Sequence, residues 1–329
     1  MRAPSFWWKP PGFMAKLLSP VSALYEIAVK IRLKKPGEKA GLPVICIGNP
    51  VVGGAGKTPV AIAVAKWLMA SGRRPVFLSR GYGGRLTGPL LVDQVRHTST
   101  DCGDEPLLLA QTAPVIVSRD RVRGALMAAD FGDCIVMDDG LQNPSLRKDF
   151  TLAVIDGENC FGNGYSLPAG PLRAPLSVQW PLIDAILMIG ESRTGLESGA
   201  FPPDIPVFSG HITPEATEIA RFKGHAVLAF AGIGRPSKFF NSLRDCGALI
   251  KEQREFADHH PYSREELEQI VTRCRDAHWT PVTTAKDFVR IQSRFPELAD
   301  HIAVLNITVS IEHFDRLATL IVQKALSRF

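Results

Sequence analysis

The sequence contains no Cys-x-x-Cys pair, and its six cysteines (Cys46, Cys102, Cys134, Cys160, Cys246, Cys274) are scattered. That argues against a zinc knuckle or a disulfide framework and for a reducing compartment. No apolar run approaches the ~20 residues that span a bilayer, and the N-terminal stretch lacks the apolar core and small-residue cleavage site of a signal peptide. Internal repeats and low-complexity segments are absent. Nucleic-acid recognition motifs are missing too, and the basic residues are not spread over the chain as they would be on a nucleic-acid-binding face. Residues 1–40 carry eight basic and two acidic side chains, a local +6, so a total of +5 leaves the remainder at −1. Nothing in the sequence calls for an obligatory protein partner.

A chain of 329 residues, 45% hydrophobic and 22% charged, is soluble and globular in composition and long enough for two domains. Its organising stretch is Val44-Ile45-Cys46-Ile47-Gly48, a β-branched strand. It runs into the turn Asn49-Pro50-Val51-Val52-Gly53-Gly54-Ala55-Gly56-Lys57-Thr58, and an alanine-rich helical pattern follows. Strand, glycine-rich turn and helix make a phosphate loop. Its backbone N–H groups face an anion at a helix N-terminus, Lys57 reaches the terminal phosphates, and the Thr58 hydroxyl can ligate Mg²⁺. The strict Walker pattern wants glycine where Val51 stands, so the loop is a Gly-Gly-x-Gly-Lys-Thr variant.

A second apolar strand, Cys134-Ile135-Val136-Met137, ends in Asp138-Asp139, where a phosphate-loop protein places its Mg²⁺-side acid. Asp104 and Glu105 open an apolar helix and have two explanations. They either complement the helix dipole or face the phosphate loop as base and metal ligand. Arg80-Gly81-Tyr82-Gly83-Gly84 follows another strand, and Arg119-Asp120-Arg121 a further one, where an arginine such as Arg121 could touch phosphate. Leu152–Asp156 and Ala185–Ile189 read as buried parallel strands, and residues 167–173 as a shaped loop.

The amino-terminal stretch combines Phe6, Trp7, Trp8 and Phe13 with a helical pattern (Val21, Leu24, Tyr25, Ala28, Ile31), which Ser19-Pro20 predicts to begin at Pro20. Two readings stand: a helix on an anionic membrane surface with the Trp pair at the interface, or a helix docked on its own core. Residues 191–206, rich in Gly, Ser and Pro, predict a domain boundary. Beyond them a smaller unit has strands at 226–230, 281–284 and a last one at 303–307, with Asp258-His259-His260 before a capped helix. The two histidines lack the aspartate motifs of metal phosphoesterases.

In order along the chain, the phosphate loop, Ser79-Arg80-Gly81-Tyr82-Gly83-Gly84, Gly103-Asp104-Glu105-Pro106, Asp138-Asp139-Gly140-Leu141-Gln142, Leu167-Pro168-Ala169-Gly170-Pro171-Leu172-Arg173, Ala231-Gly232-Ile233-Gly234 and Asp258-His259 resemble the tetraacyldisaccharide 4'-kinase family. The resemblance implies an α/β fold, a P-loop NTPase-like mostly parallel sheet domain with a second, smaller α/β domain. It implies a membrane-associating segment at 1–36, a kinase domain at 37–205 and the smaller domain at 206–329, with a last helix that can pack back on the first. The implied reaction is MgATP-dependent phosphorylation of the 4'-hydroxyl of tetraacyldisaccharide 1-phosphate in lipid A biosynthesis, at the cytoplasmic face of the inner membrane. By the same resemblance residues 51–58 and Arg121 bind nucleotide, and Thr58, Glu105, Asp138 and Asp139 surround Mg²⁺. Asp104, assisted by His259, is the base, and Arg80, Tyr82, Asn143 and Arg173 line the lipid side. The chain departs from the family pattern at Asn143, Ala174 and Ala285, where the family carries His, Glu and Glu. Two other classes fit the phosphate loop alone: a kinase of a soluble small molecule, and an ATPase that switches a partner protein.

Overall fold

Short strands, apolar through the centre of the larger sheet, build two sheets in the computed structural model, which describes residues 3–191 and 201–327. Their strands are β1 (Val44–Gly48), β2 (Pro75–Ser79), β3 (Leu90–Leu91), β4 (Val115–Val117), β5 (Cys134–Asp138), β6 (Phe150–Asp156), β7 (Ala185–Ile189), β8 (Val207–Pro214), β9 (Ala226–Ala231), β10 (Leu249–Glu255), β11 (Thr280–Thr284), β12 (Ala303–Leu305) and β13 (Ile307–Ile311). The larger sheet has the order β13-β8-β7-β6-β1-β5-β2-β4-β3 and the smaller β10-β9-β11-β12. The central strands of the larger sheet pair in parallel and are buried along their whole length. Unbroken apolar strands demand cover on both faces, and helices supply it. The expected α/β fold is therefore the observed one.

Sheet hydrogen bonding redraws the division expected at residue 206. β8 pairs in parallel with β7, and β13 pairs antiparallel with β8, so both belong to the larger sheet. The smaller sheet draws its strands from 226–305. The strand expected at 303–307 is in fact two: β12 ends at Leu305, and the chain crosses at Asn306 into β13 of the other sheet. The helix Phe314–Ile321 then packs on the phosphate-loop helix, with Phe314 against Trp67 at 5.8 Å and Leu317 and Ile321 in the larger core. Residues 192–200, within the expected boundary, lie outside the described residues.

The first helix runs Phe13–Leu33, and Pro20 sits inside it rather than at its start. Proline offers no N–H to the carbonyl four residues back. The Ser19 hydroxyl donates to that carbonyl, Lys16, at 2.8 Å instead. One face of this helix docks on the loop 162–173: Ser22 Oγ donates to the Ser166 carbonyl at 2.8 Å and the Tyr25 hydroxyl to the Arg173 carbonyl at 2.8 Å. Trp7, expected at a membrane interface, is instead buried, with its indole N–H on the Pro168 carbonyl at 3.0 Å.

Candidate active site

The phosphate loop is held from below by amides that the motif did not announce. Gln142 Nε2 donates to the Asn49 carbonyl and to Gln179 Oε1, both at 2.8 Å, and Gln179 Nε2 donates to the Pro50 carbonyl at 3.2 Å. The Val51 N–H is taken by Asn49 Oδ1 at 2.7 Å and the Val52 N–H by the Pro171 carbonyl at 2.8 Å. Those two expected nucleotide contacts are thus committed to shaping the loop. Phosphate is left the amides further along, above all those of Lys57 and Thr58, which open the helix Lys57–Ala70 and have no intrahelical acceptor. Gly56 is left-handed (φ 87°), a conformation that favours glycine, and a Cβ there would have to displace the tip of the Ile212 side chain.

Carboxylates face this loop from the neighbouring strand and helix. Asp138 ends β5 in register with Ile47 of β1. It is buried, and its Oδ1 has no hydrogen-bond partner among the described residues. Burial, then the charges of Glu105 and Asp139, push its carboxyl up to about 7. A buried carboxyl oxygen without a partner, beside two further carboxylates, is a demand for a cation. Asp139 behaves differently: burial is outweighed by Lys57, 3.7 Å away, and Arg173, at 2.6 Å, and its carboxyl is held down to about 2. It pairs with both the loop lysine and Arg173. Glu105 is paired with Lys286 of the smaller unit at 2.5 Å. No three His, Cys, Asp or Glu side chains among the described residues converge as a closed metal cage. Such an open set, with the Thr58 hydroxyl nearby, suits Mg²⁺, which takes one or two carboxylates together with substrate phosphates.

The smaller unit contributes the other wall. Asp104 opens the helix Asp104–Leu109 behind Gly103, whose φ of 91° and crowding against the Tyr82 carbonyl exclude a side chain. Its Oδ2 lies 3.1 Å from His259 Nδ1 and 3.2 Å from Arg290 Nε. Burial works against the charge, but the His259 hydrogen bond and the Arg290 charge prevail and hold the carboxyl at about 2. His259, hydrogen-bonded to Asp104 and near Asp258, keeps its proton to higher pH than a free imidazole despite partial burial and Arg290. Because its folded pKa lies above the unfolded value near 6.5, the stabilisation is complete below that value and lost as pH rises through the folded pKa. Denaturant unfolding of wild type should therefore lose about 0.5–1 kcal/mol more than His259→Gln between about pH 6 and 9. Parallel profiles would remove the ion pair from the account.

Of the residues expected on the lipid side, Arg173 and Tyr82 stand at the site. Arg173 touches Asp139, and the Tyr82 ring, largely exposed, lies 5.9 Å from His259. Arg80 is exposed on the next turn; burial first, and then the Arg80 charge, lower the Arg121 guanidinium to about 10. Arg121 itself is anchored by Nη1 on the Ser118 carbonyl behind Asp138. The structure does not bring Asn143 to the carboxylates: its Oδ1 accepts from Ser145 N–H and Oγ within its own turn, at 3.0 and 2.7 Å. Sequence reading passed over Gln142 and Gln179 as loop supports, and over Lys286 and Arg290. Lys286-Asp287 follows a strand, but only tertiary contact shows what these side chains reach.

A parallel sheet whose glycine-rich loop faces a buried strand-end acid, with its own Asp104 paired to His259 of the smaller unit, defines a phosphate-loop phosphotransferase. The family described as "Tetraacyldisaccharide-1-P 4'-kinase" matches residues 14–326. The chain belongs to that family and is a kinase. A tetraacyldisaccharide 4'-kinase of Methylobacterium sp. (strain 4-46) is 53% identical over 295 residues, covering 88% of this chain and 89% of that protein. One from Rhodopseudomonas palustris (strain BisB5) is 45% identical over 330 residues, covering 98% and 97%. A crystal structure of LpxK from Aquifex aeolicus, described as an "apo" form in complex with ATP, matches with a TM-score of 0.76 at 26% identity, covering 95% of this chain and 100% of that one.

Proposed function

We propose that the chain transfers the γ-phosphoryl group of ATP to the 4'-hydroxyl of tetraacyldisaccharide 1-phosphate, giving the 4'-phosphorylated lipid A precursor. The observation that carries this reading is the Asp104–His259 pair, joined across the two units at 3.1 Å beside the phosphate-loop acids. A protein that only hydrolyses ATP to switch a partner needs no such acceptor-side base. Lys57 and the loop amides grip the β- and γ-phosphates. Both contacts of Asp104 fall on Oδ2, which leaves Oδ1 for the sugar hydroxyl. Phosphoryl transfer passes through a loose transition state and asks mainly for alignment, so a weakly basic carboxylate suffices as proton acceptor late in the step. Thr58, Asp138 and Glu105 would hold Mg²⁺, which when bound neutralises charge on the β- and γ-phosphates. Arg173, seated between Asp139 and the first helix, orients the acceptor.

The first helix supports a membrane-bound setting at the cytoplasmic face of the inner membrane. While one face docks on loop 162–173, the other exposes Phe13, Met14, Leu17, Val21, Leu24, Ile27 and Ile31, each between 47 and 78% exposed. Lys16, Lys30, Arg32, Lys34 and Lys35 lie on or just beyond the same helix. No helix among the described residues is long and apolar enough to cross a membrane. Burying such side chains contributes about 1.5 kcal/mol or more apiece, and each basic residue about 1 kcal/mol at an anionic surface, ample for peripheral attachment. Leu17→Glu/Leu24→Glu, at exposed positions, should leave folding intact and weaken binding to anionic phospholipid vesicles by about tenfold or more. Undiminished binding would detach the helix from the membrane.

The function is tested by whether ADP release depends on the acceptor. Release only when tetraacyldisaccharide 1-phosphate in detergent micelles is added supports the lipid kinase. Equal release without it favours the ATPase switch, and release driven by a soluble sugar favours a soluble-substrate kinase.

A further inference from the structure

Arg290 brings to Asp104 a cation that neither the phosphate loop nor the base assignment accounts for. It lies on the helix Ala285–Gln292 of the smaller unit and is buried. Its guanidinium reaches in three directions at once. Nε is 3.2 Å from Asp104 Oδ2, Nη1 donates to the His260 carbonyl at 3.2 Å, and Nη2 donates to the Gly232 carbonyl at 3.1 Å. The last two acceptors flank His259: His260 follows it in the chain, and the Gly232 carbonyl also receives the His259 N–H at 3.0 Å. His259 has φ 58°, a left-handed conformation that a residue with a side chain keeps only when its surroundings fix it. The guanidinium is itself fixed. Asp287, fully buried, lies 3.2 Å from Nη2 and accepts from Gly232 N–H at 3.0 Å, the Tyr262 hydroxyl at 2.9 Å and Thr284 Oγ1 at 2.6 Å.

We propose that Arg290 is a positioning residue for phosphoryl transfer, its fork locking the Asp104 carboxylate and the His259-bearing turn into one frame. The inference rests on the reading of Asp104 and His259 as the base pair. The planar guanidinium donates to two carbonyls through Nη1 and Nη2 while its charge sits beside Asp104, whereas a lysine ammonium is a point charge on a flexible stem. Lysine therefore keeps the charge beside Asp104 and loses the frame.

The test compares kcat, KM for both substrates and thermal midpoints for full-length wild type, Arg290→Gln, Arg290→Lys, His259→Ala and the double variant His259→Ala/Arg290→Gln. Misplacing a catalytic group by about 1 Å costs about 10²-fold, so Arg290→Gln should lose about 30- to 100-fold in kcat. KM for ATP should stay within about threefold, Arg290→Lys should recover little, and the double variant should fall within about threefold of His259→Ala, since groups acting as a unit are not additive. Wild-type kcat in Arg290→Gln or Arg290→Lys overturns the proposal. So do losses that multiply in the double variant, because a merely structural role adds independently. Should Arg290→Gln fail to fold, Tyr262→Phe removes one hydroxyl from the Asp287 seat. A severalfold loss of kcat that vanishes in a His259→Ala background sustains the frame, and an unchanged kcat overturns it. A wild-type rate in His259→Ala would sink the base-pair reading itself, a failure distinct from that of Arg290.

Discussion

Lys57→Ala is expected to lower kcat/KM by about 10³-fold while the chain stays folded, as when one fixed donor to a developing anion is removed. Lys57 is buried at the start of its helix, with Nζ 3.5 Å from the Gly53 carbonyl and 3.7 Å from Asp139. It is therefore already curled over the loop, ready to meet a phosphate. Truncation takes one of two cations from Asp139, a half-buried carboxylate. Arg173 remains at 2.6 Å, so Asp139 keeps a cation and the fold is spared. Steady-state kinetics with a thermal melt checks both halves. A variant that unfolds, or that retains more than about a tenth of wild-type kcat/KM, would show that the lysine is structural rather than phosphate-binding.

Asp104→Asn should reduce kcat by about 10²–10⁴-fold, the usual contribution of a positioned base, with ATP affinity nearly unchanged. The amide preserves size and its oxygen still accepts from His259, but it cannot take the hydroxyl proton. It also leaves the buried Arg290 opposite a neutral group, so the melting temperature should fall, although Asp287 at 3.2 Å still balances that charge. Binding of a fluorescent ATP analogue separates this loss from a defect at the phosphate loop. Full activity in Asp104→Asn would move the proton to another acceptor.

Where the chemistry is local, the sequence was legible. β1, its glycine turn and its helix are contiguous, and β5 announces Asp138 by ending an apolar run in an acid. β8, β10 and β13 were not readable, because their solvent-facing positions carry polar residues and leave only sparse apolar ones, as in Leu249–Glu255 (LIKEQRE). Their identity comes from pairing with distant strands, which no window of sequence contains. Trp7 misled for a related reason: an indole beside basic residues reads as interfacial, and only the Pro168 carbonyl 161 residues away shows it to be a dock. The carboxylates Asp104 and Glu105 had both a capping and a catalytic reading. Contacts with His259, Arg290 and Lys286, more than 150 residues downstream, favour the second. The frame around Arg290 was invisible for the same reason, since Gly232, Tyr262, Asp287 and Arg290 meet only after the smaller sheet has formed.

The central claim is where the phosphate goes, and the most direct measurement is the site of phosphorylation on the lipid. Wild-type protein would be incubated with ATP, Mg²⁺ and tetraacyldisaccharide 1-phosphate, and the product analysed by mass spectrometry and phosphorus–proton correlation NMR. The account predicts one added phosphomonoester coupled to the proton at the 4' position, absent with Asp104→Asn. ATP consumed with no lipid phosphate gained, or a phosphate on another hydroxyl, would contradict it.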